Sequence, residues 1–128
     1  MNEIQSLLDS QESFQNKLGI DFNTMDEKDI AAYIRDQVYW TTEELHEMCR
    51  ELPYIKSWKD YSSLSPEEKF DMSNKAREEY IDVFHFVINI GVALGFTGDQ
   101  LVGEYFKKHK INNERQENPK LNYIKGDK

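Results

Sequence analysis

Apolar residues recur at helical spacing through most of the chain. Ile4, Leu7, Leu8 and Phe14 predict a first helix over Glu3–Lys17, with Gly19 as its stop. Thr24 and Glu27 have capping-box spacing, and Ile30, Ile34, Val38, Leu45, Met48 and Leu52 carry a second helix as far as Pro53. A loop with Tyr54, Trp58, Tyr61 and a serine-rich turn follows. Ser65-Pro66-Glu67-Glu68 sets a cap, a first-turn proline and a capping-box glutamate in order, opening a third helix that runs to Leu94 before Gly95. From Val83 to Leu94 this helix is apolar nearly all round, so its second half is expected to be covered on most sides. Thr97 and Gln100 form another capping box, for a helix from Asp99 to about Lys110. The polar segment 112–128 is expected to be irregular. No run alternates between apolar and polar residues, so the pattern predicts a single all-α domain over 1–128, a bundle of four to five helices.

Composition narrows the function. With 16 basic and 24 acidic residues the net charge is −8, which argues against a nucleic-acid binder or an anionic membrane surface. An aromatic share of 12% is too rich for a disordered acidic tail. Cys49 stands alone, so an intramolecular disulfide and a cysteine-based zinc site are both ruled out, and a reducing cytoplasm is the expected compartment. The start Met-Asn-Glu-Ile lacks the basic and apolar regions of a signal peptide. Asp82, His85 and Asn89 interrupt the most apolar stretch, Tyr80–Phe96, and argue against a membrane span.

Two acidic pairs carry candidate chemistry. Glu44 and Glu47 lie three residues apart on the second helix, so they share a face with Trp40 and Glu51. Alone, such a pair reads most simply as a solvated acidic face. Glu79 and Asp82 have the same spacing on the third helix, where the polar stripe continues through His85 and Asn89 among apolar neighbours. Polar groups on a buried helix need partners, either basic residues or a metal. Two helices that each offer such a pair can converge on one cluster of negative charge. Hard oxygen donors without cysteine suit Mg²⁺ or Mn²⁺, and Mg²⁺ held by few carboxylates takes substrate phosphates as further ligands. Nearer the C-terminus, Tyr105, Lys108, Asn112 and Arg115 would share one face if the helix continues. They could meet a phosphate chain or simply complement a helix dipole.

Taken in order, these pieces resemble the all-α nucleoside triphosphate pyrophosphatases, the MazG-like superfamily, and within it the dimeric dUTPase branch. The resemblance rests on Glu44-x-x-Glu47, on Glu79-x-x-Asp82 followed by His85-Phe86, on Trp58-Lys59, and on Tyr105, Lys108, Asn112, Arg115 and Gln116, and it covers residues 4 to about 116. It implies Mg²⁺ held by Glu44, Glu47, Glu79 and Asp82, with Mn²⁺ as a substitute. Glu44 and Glu47 would be the catalytic pair, Glu47 activating water. Lys108 and Arg115 would hold phosphate, and Asn112 and Tyr105 phosphate or sugar. It further implies base contacts from Gln11, Gln15 and Trp58, with His85 and Lys59 supporting the site. Trp40 and Phe14 could also stack on a base. The branch carries an asparagine where this chain has Gln15, which bears on base choice. Tyr123, Lys125 and Gly126 loosely meet the branch's C-terminal signature.

The implied activity is hydrolysis of dUTP to dUMP and pyrophosphate by a homodimer or higher homo-oligomer, with a phage or bacterial source. A dCTP-preferring or broad dNTP pyrophosphatase would carry the same metal motif. A non-catalytic helical interaction module is the reading of a different class.

Overall fold

The computed structural model describes residues 2–118 and 120; the tail with Tyr123, Lys125 and Gly126 lies outside them. Four helices account for the ordered architecture: α1 (Glu3–Lys17), α2 (Glu27–Glu51), α3 (Pro66–Ala93) and α4 (Gly98–Glu117). No strand occurs among the described residues, so the chain is all-α. No single helix among them is long and apolar enough to cross a membrane.

Local chemistry sets most of the boundaries. Asn2 caps α1 by accepting from the backbone N–H groups of Ile4 and Gln5. At the other end, Ile20 N–H bonds Gln15 C=O and Gly19 N–H bonds Asn16 C=O, with Gly19 at φ +88°. This is the paired closure that a left-handed residue permits. The end of α3 repeats it: Phe96 N–H bonds Gly91 C=O, Gly95 N–H bonds Val92 C=O, and Gly95 has φ +80°. Both expected capping boxes form, Ser65 with Glu68 and Thr97 with Gln100.

Three boundaries or faces differ from the sequence expectation. The α2 cap is Asp26, whose side chain accepts from Asp29 N–H, so Thr24 and Glu27 form no capping box. Thr24 belongs to a turn, its hydroxyl and N–H both donating to Asp21 C=O. α4 continues through 112–117, a stretch expected to be irregular. Nothing there breaks a helix, and Asn118, which precedes Pro119, turns extended at ψ 112°. The second half of α3 is covered on fewer sides than its composition suggests. Val83, Ile88, Asn89 and Gly91 are buried, whereas Phe84, Val87 and Leu94 are exposed. α1 and α2 cover part of α3, and α4 turns away at 104° to pack mainly on α1.

The most extensive packing is between α2 and α3, which fixes the two acidic pairs relative to one another. The α1–α4 junction is tight. Gly98 N–H donates to Gln5 Oε1, and Asn2 Nδ2 donates to Asp99 Oδ1 at 2.8 Å. A Cβ on residue 98 would stand 2.6 Å from Gln5 N, a backbone atom that cannot swing aside. Gly98→Ala is therefore expected to destabilise the fold by roughly 1–3 kcal/mol, the usual cost of overpacking. Thermal melts monitored by circular dichroism check this, and an unchanged midpoint would show that the junction separates without cost.

Candidate active site

The α2–α3 packing brings the acidic pairs together. One carboxylate oxygen from each of Glu44, Glu79 and Asp82 lies within 4.8 Å of the other two. Glu44 and Glu79 are partly buried and Asp82 is exposed, so the cluster opens to solvent on one side. Burial pushes the Glu44 carboxyl up to about 7; a hydrogen bond with Glu79 and the charges of Glu47, Glu79 and Asp82 add to the effect. Glu47 thus belongs to the same electrostatic cluster. It is exposed and stands outside the group of three that could share one ion.

Such an arrangement fits a divalent cation. Three oxygen donors converge from two rigid helices, and their mutual repulsion is what a cation relieves. Among the described residues this is the group of acidic, histidine or cysteine side chains that meets the spacing for an ion.

The other expected site residues fall in several places. Gln11 and His85 line a cavity of about 230 Å³ between α1 and α3, with Leu7, Phe84 and Ile88 as apolar walls. Gln15 is 4% exposed and its Oε1 accepts from the Tyr33 hydroxyl at 2.9 Å. It is therefore engaged inside the bundle. Burial raises the Tyr33 hydroxyl to about 12, which keeps it a donor. Trp58 is 81% exposed in the α2–α3 loop, with Lys56 Nζ 5.9 Å from its ring centre. Lys59 lies over Tyr61 at 5.5 Å. Trp40, exposed and edge-on to Tyr39, sits one turn before Glu44. Tyr105 and Lys108 line a broad groove with Leu94, Phe96 and Leu101. Asn112 and Arg115 follow on α4, which packs mainly on α1.

One polar feature escaped the sequence reading. Gln11 Nε2 donates to Asn89 Oδ1 at 2.8 Å, and Asn89 Nδ2 donates to Gln37 Oε1 at 3.0 Å. Asn89 is 3% and Gln37 8% exposed, so these two amides are buried where α1, α3 and α2 meet, and Gln11 ends the chain partly buried. The signal for Gln37 was its place on the buried stripe of α2, one turn after Tyr33.

Four helices with carboxylates converging from two of them define an all-α bundle with a candidate cation site. More narrowly, a family model described as dUTPase matches residues 3–93, and the chain belongs to that family of all-α dUTPase-like nucleoside triphosphate pyrophosphatases. The chain is also 27% identical over 110 residues to a dCTP pyrophosphatase of Enterobacteria phage T4, a match covering 70% of this chain. It spans about 62% of the length of that relative. No solved structure matches.

Proposed function

We propose that the protein is a Mg²⁺-dependent nucleotide pyrophosphohydrolase. Its first substrate would be dUTP, cleaved with water to dUMP and pyrophosphate. The observation that carries this reading is the convergence of Glu44, Glu79 and Asp82 within 4.8 Å across two helices. Those three would hold the cation, with Mn²⁺ as a substitute, and Glu47 would stand beside them as the proton acceptor and not the fourth ligand that the resemblance implies. A bound divalent ion supplies Lewis-acid charge neutralisation and a more acidic water. The protein's own groups do the rest. Glu47, exposed at the edge of the cluster, accepts the proton of the attacking water. Lys108 and Arg115 offset charge on the phosphate oxygens. Gln11 meets the base from the α1–α3 cavity.

A second reading, dCTP as the preferred substrate, is favoured by two observations. Gln15 stands where the dUTPase branch has asparagine and is held by Tyr33. The phage relative is named a dCTP pyrophosphatase. Exposed Phe84, Val87 and Leu94 on α3 support a homodimer or higher homo-oligomer, since a second copy would cover them.

The test is a product assay by anion-exchange chromatography with dUTP, dCTP, dTTP and dATP, each with Mg²⁺ or EDTA. Mg²⁺-dependent release of dUMP and pyrophosphate from dUTP is the expected result. Conversion of dCTP in preference supports the second reading. Turnover of none of the four overturns the enzymatic reading in favour of a helical interaction module.

A further inference from the structure

The chain of amides has a direction. Gln11 donates to Asn89, and Asn89 donates to Gln37. A carboxamide offers a donor at one end and an acceptor at the other, in nearly the same shape. Inverting one amide alone would set N–H against N–H or oxygen against oxygen, at the cost of buried, unmade hydrogen bonds. The three must therefore invert together or not at all.

The chain also sits at a useful level of the bundle. Gln37 precedes Glu44 on α2 by seven residues, and Asn89 follows Asp82 on α3 by seven. Both offsets are two turns, roughly 10.5 Å along the helix axis. The amides thus lie one nucleoside's reach from the carboxylate cluster. Gln11, the end member, lines the cavity of about 230 Å³ between α1 and α3 together with His85 and Ser10. That volume lies below the roughly 300–1,000 Å³ of sites for drug-sized ligands, and it suits a single ring.

We propose that Asn89 and Gln37 are positioning residues that let the Gln11 carboxamide present either end to this cavity, by inverting with it as one unit, and so make the base site tolerant of both pyrimidines. The inference rests on the pyrimidine-nucleotide reading above and adds two residues to it. In the orientation observed, Gln11 gives its nitrogen to Asn89, and its carbonyl oxygen is the end left for a ligand. That oxygen accepts from the exocyclic amino group of cytosine. Concerted inversion turns the amide nitrogen outward instead, to donate to the 4-oxo group of uracil. The native protein consequently takes both bases. Its discrimination falls far short of the roughly 10⁴-fold rejection imposed by a rigid hydrogen-bonding site.

Two substitutions lock the observed orientation. Gln37→Glu leaves only acceptors opposite Asn89 Nδ2. Asn89→Asp leaves only acceptors opposite Gln11 Nε2. Measured at pH 8 to keep the new carboxylates ionised, each is expected to raise the dCTP:dUTP ratio of kcat/KM by about tenfold, the scale of one unmade buried hydrogen bond. Gln37→Met, which cuts the chain without locking it, is expected to leave the ratio unmoved. A purely structural role would lower both substrates alike, and that result, or a shift toward dUTP, overturns the proposal. Native turnover of dUTP and dCTP with a ratio that neither locking variant moves overturns this inference alone. Native turnover of neither overturns it together with the reading it rests on, and native rejection of one base by 10⁴-fold overturns the two-way device.

A measurement on the native protein covers the case in which a buried carboxylate prevents folding. The side-chain amide ¹⁵N–¹H resonances of Asn89 are followed as dCMP or dUMP is added. Only dUMP is expected to exchange the partner of Asn89 Nδ2 and shift them strongly. Equal responses to the two nucleotides count against inversion.

Discussion

Glu44→Gln is expected to abolish metal-dependent turnover and, in EDTA at pH 8, to raise the melting temperature. The two effects share one cause. Glu44 sits in a cluster whose burial and neighbouring charges push it up to about 7, so the folded chain holds a proton that the unfolded chain has released near the ordinary value of 4.5. Between those values the folded state binds more protons, and the contribution of this group to stability falls as pH rises. Above about pH 7 the carboxylate is ionised against its neighbours, and glutamine removes that repulsion. Native and variant melting curves in EDTA should therefore converge below about pH 4.5 and separate above it. A divalent cation works in the opposite sense. Its binding displaces the proton, so affinity of the native protein for Mg²⁺ should climb over the same window. Losing one ligand should cost turnover by at least about 100-fold, the upper range for removing even outer partners of a metal site. A variant that keeps native turnover, or that melts lower than native at pH 8, would remove Glu44 from the cluster's working set.

Glu47→Gln tests a different role. Glu47 is exposed and outside the three-carboxylate group, near enough to act on Glu44 through its charge. A residue so placed can take a proton without being needed to assemble the site. The expected result is a fall in kcat of about 10²–10⁴-fold, the usual worth of a general base. KM and nucleotide affinity should move little. Steady-state kinetics beside calorimetric binding separate the two quantities. An unchanged kcat would pass the proton-accepting role to another carboxylate, and a large loss of nucleotide affinity would make Glu47 a ligand in its own right.

Much of the fold was legible because helix ends are decided locally. The capping boxes of α3 and α4, and the glycine closures after α1 and α3, are each written in four or five consecutive residues. The start of α2 was misplaced because Thr24 and Asp26 are both good caps. The turn bonds from Thr24 to Asp21 decide between them, and spacing alone does not show those bonds. The exposed Phe84, Val87 and Leu94 show a similar limit. An apolar face asks to be covered, but the sequence does not say whether its own chain does so.

At the site, three-residue spacing put Glu44 with Glu47 and Glu79 with Asp82 on shared faces, and the α2–α3 packing brought Glu44, Glu79 and Asp82 together. The polar stripe of α3 proved to have two kinds of partner. Its acidic end meets Glu44, whereas Asn89 meets amides from two other helices. Those partners, Gln11 and Gln37, lie 78 and 52 residues away, so no local pattern could pair them.

The junction at Gly98 has a mechanical consequence. α4 is a rod of 20 residues packed mainly against α1, its first turn clamped by Gln5 and Asn2. Lys108 lies ten residues beyond that clamp, roughly 15 Å along the axis. A pivot of about 10° at the clamp would carry Lys108 sideways by ~2.6 Å, close to half a helical pitch. The reach of the basic end is thus governed by leverage. Substitutions in the first turn of α4, remote from every carboxylate of the cluster, should tune how the phosphate chain is gripped.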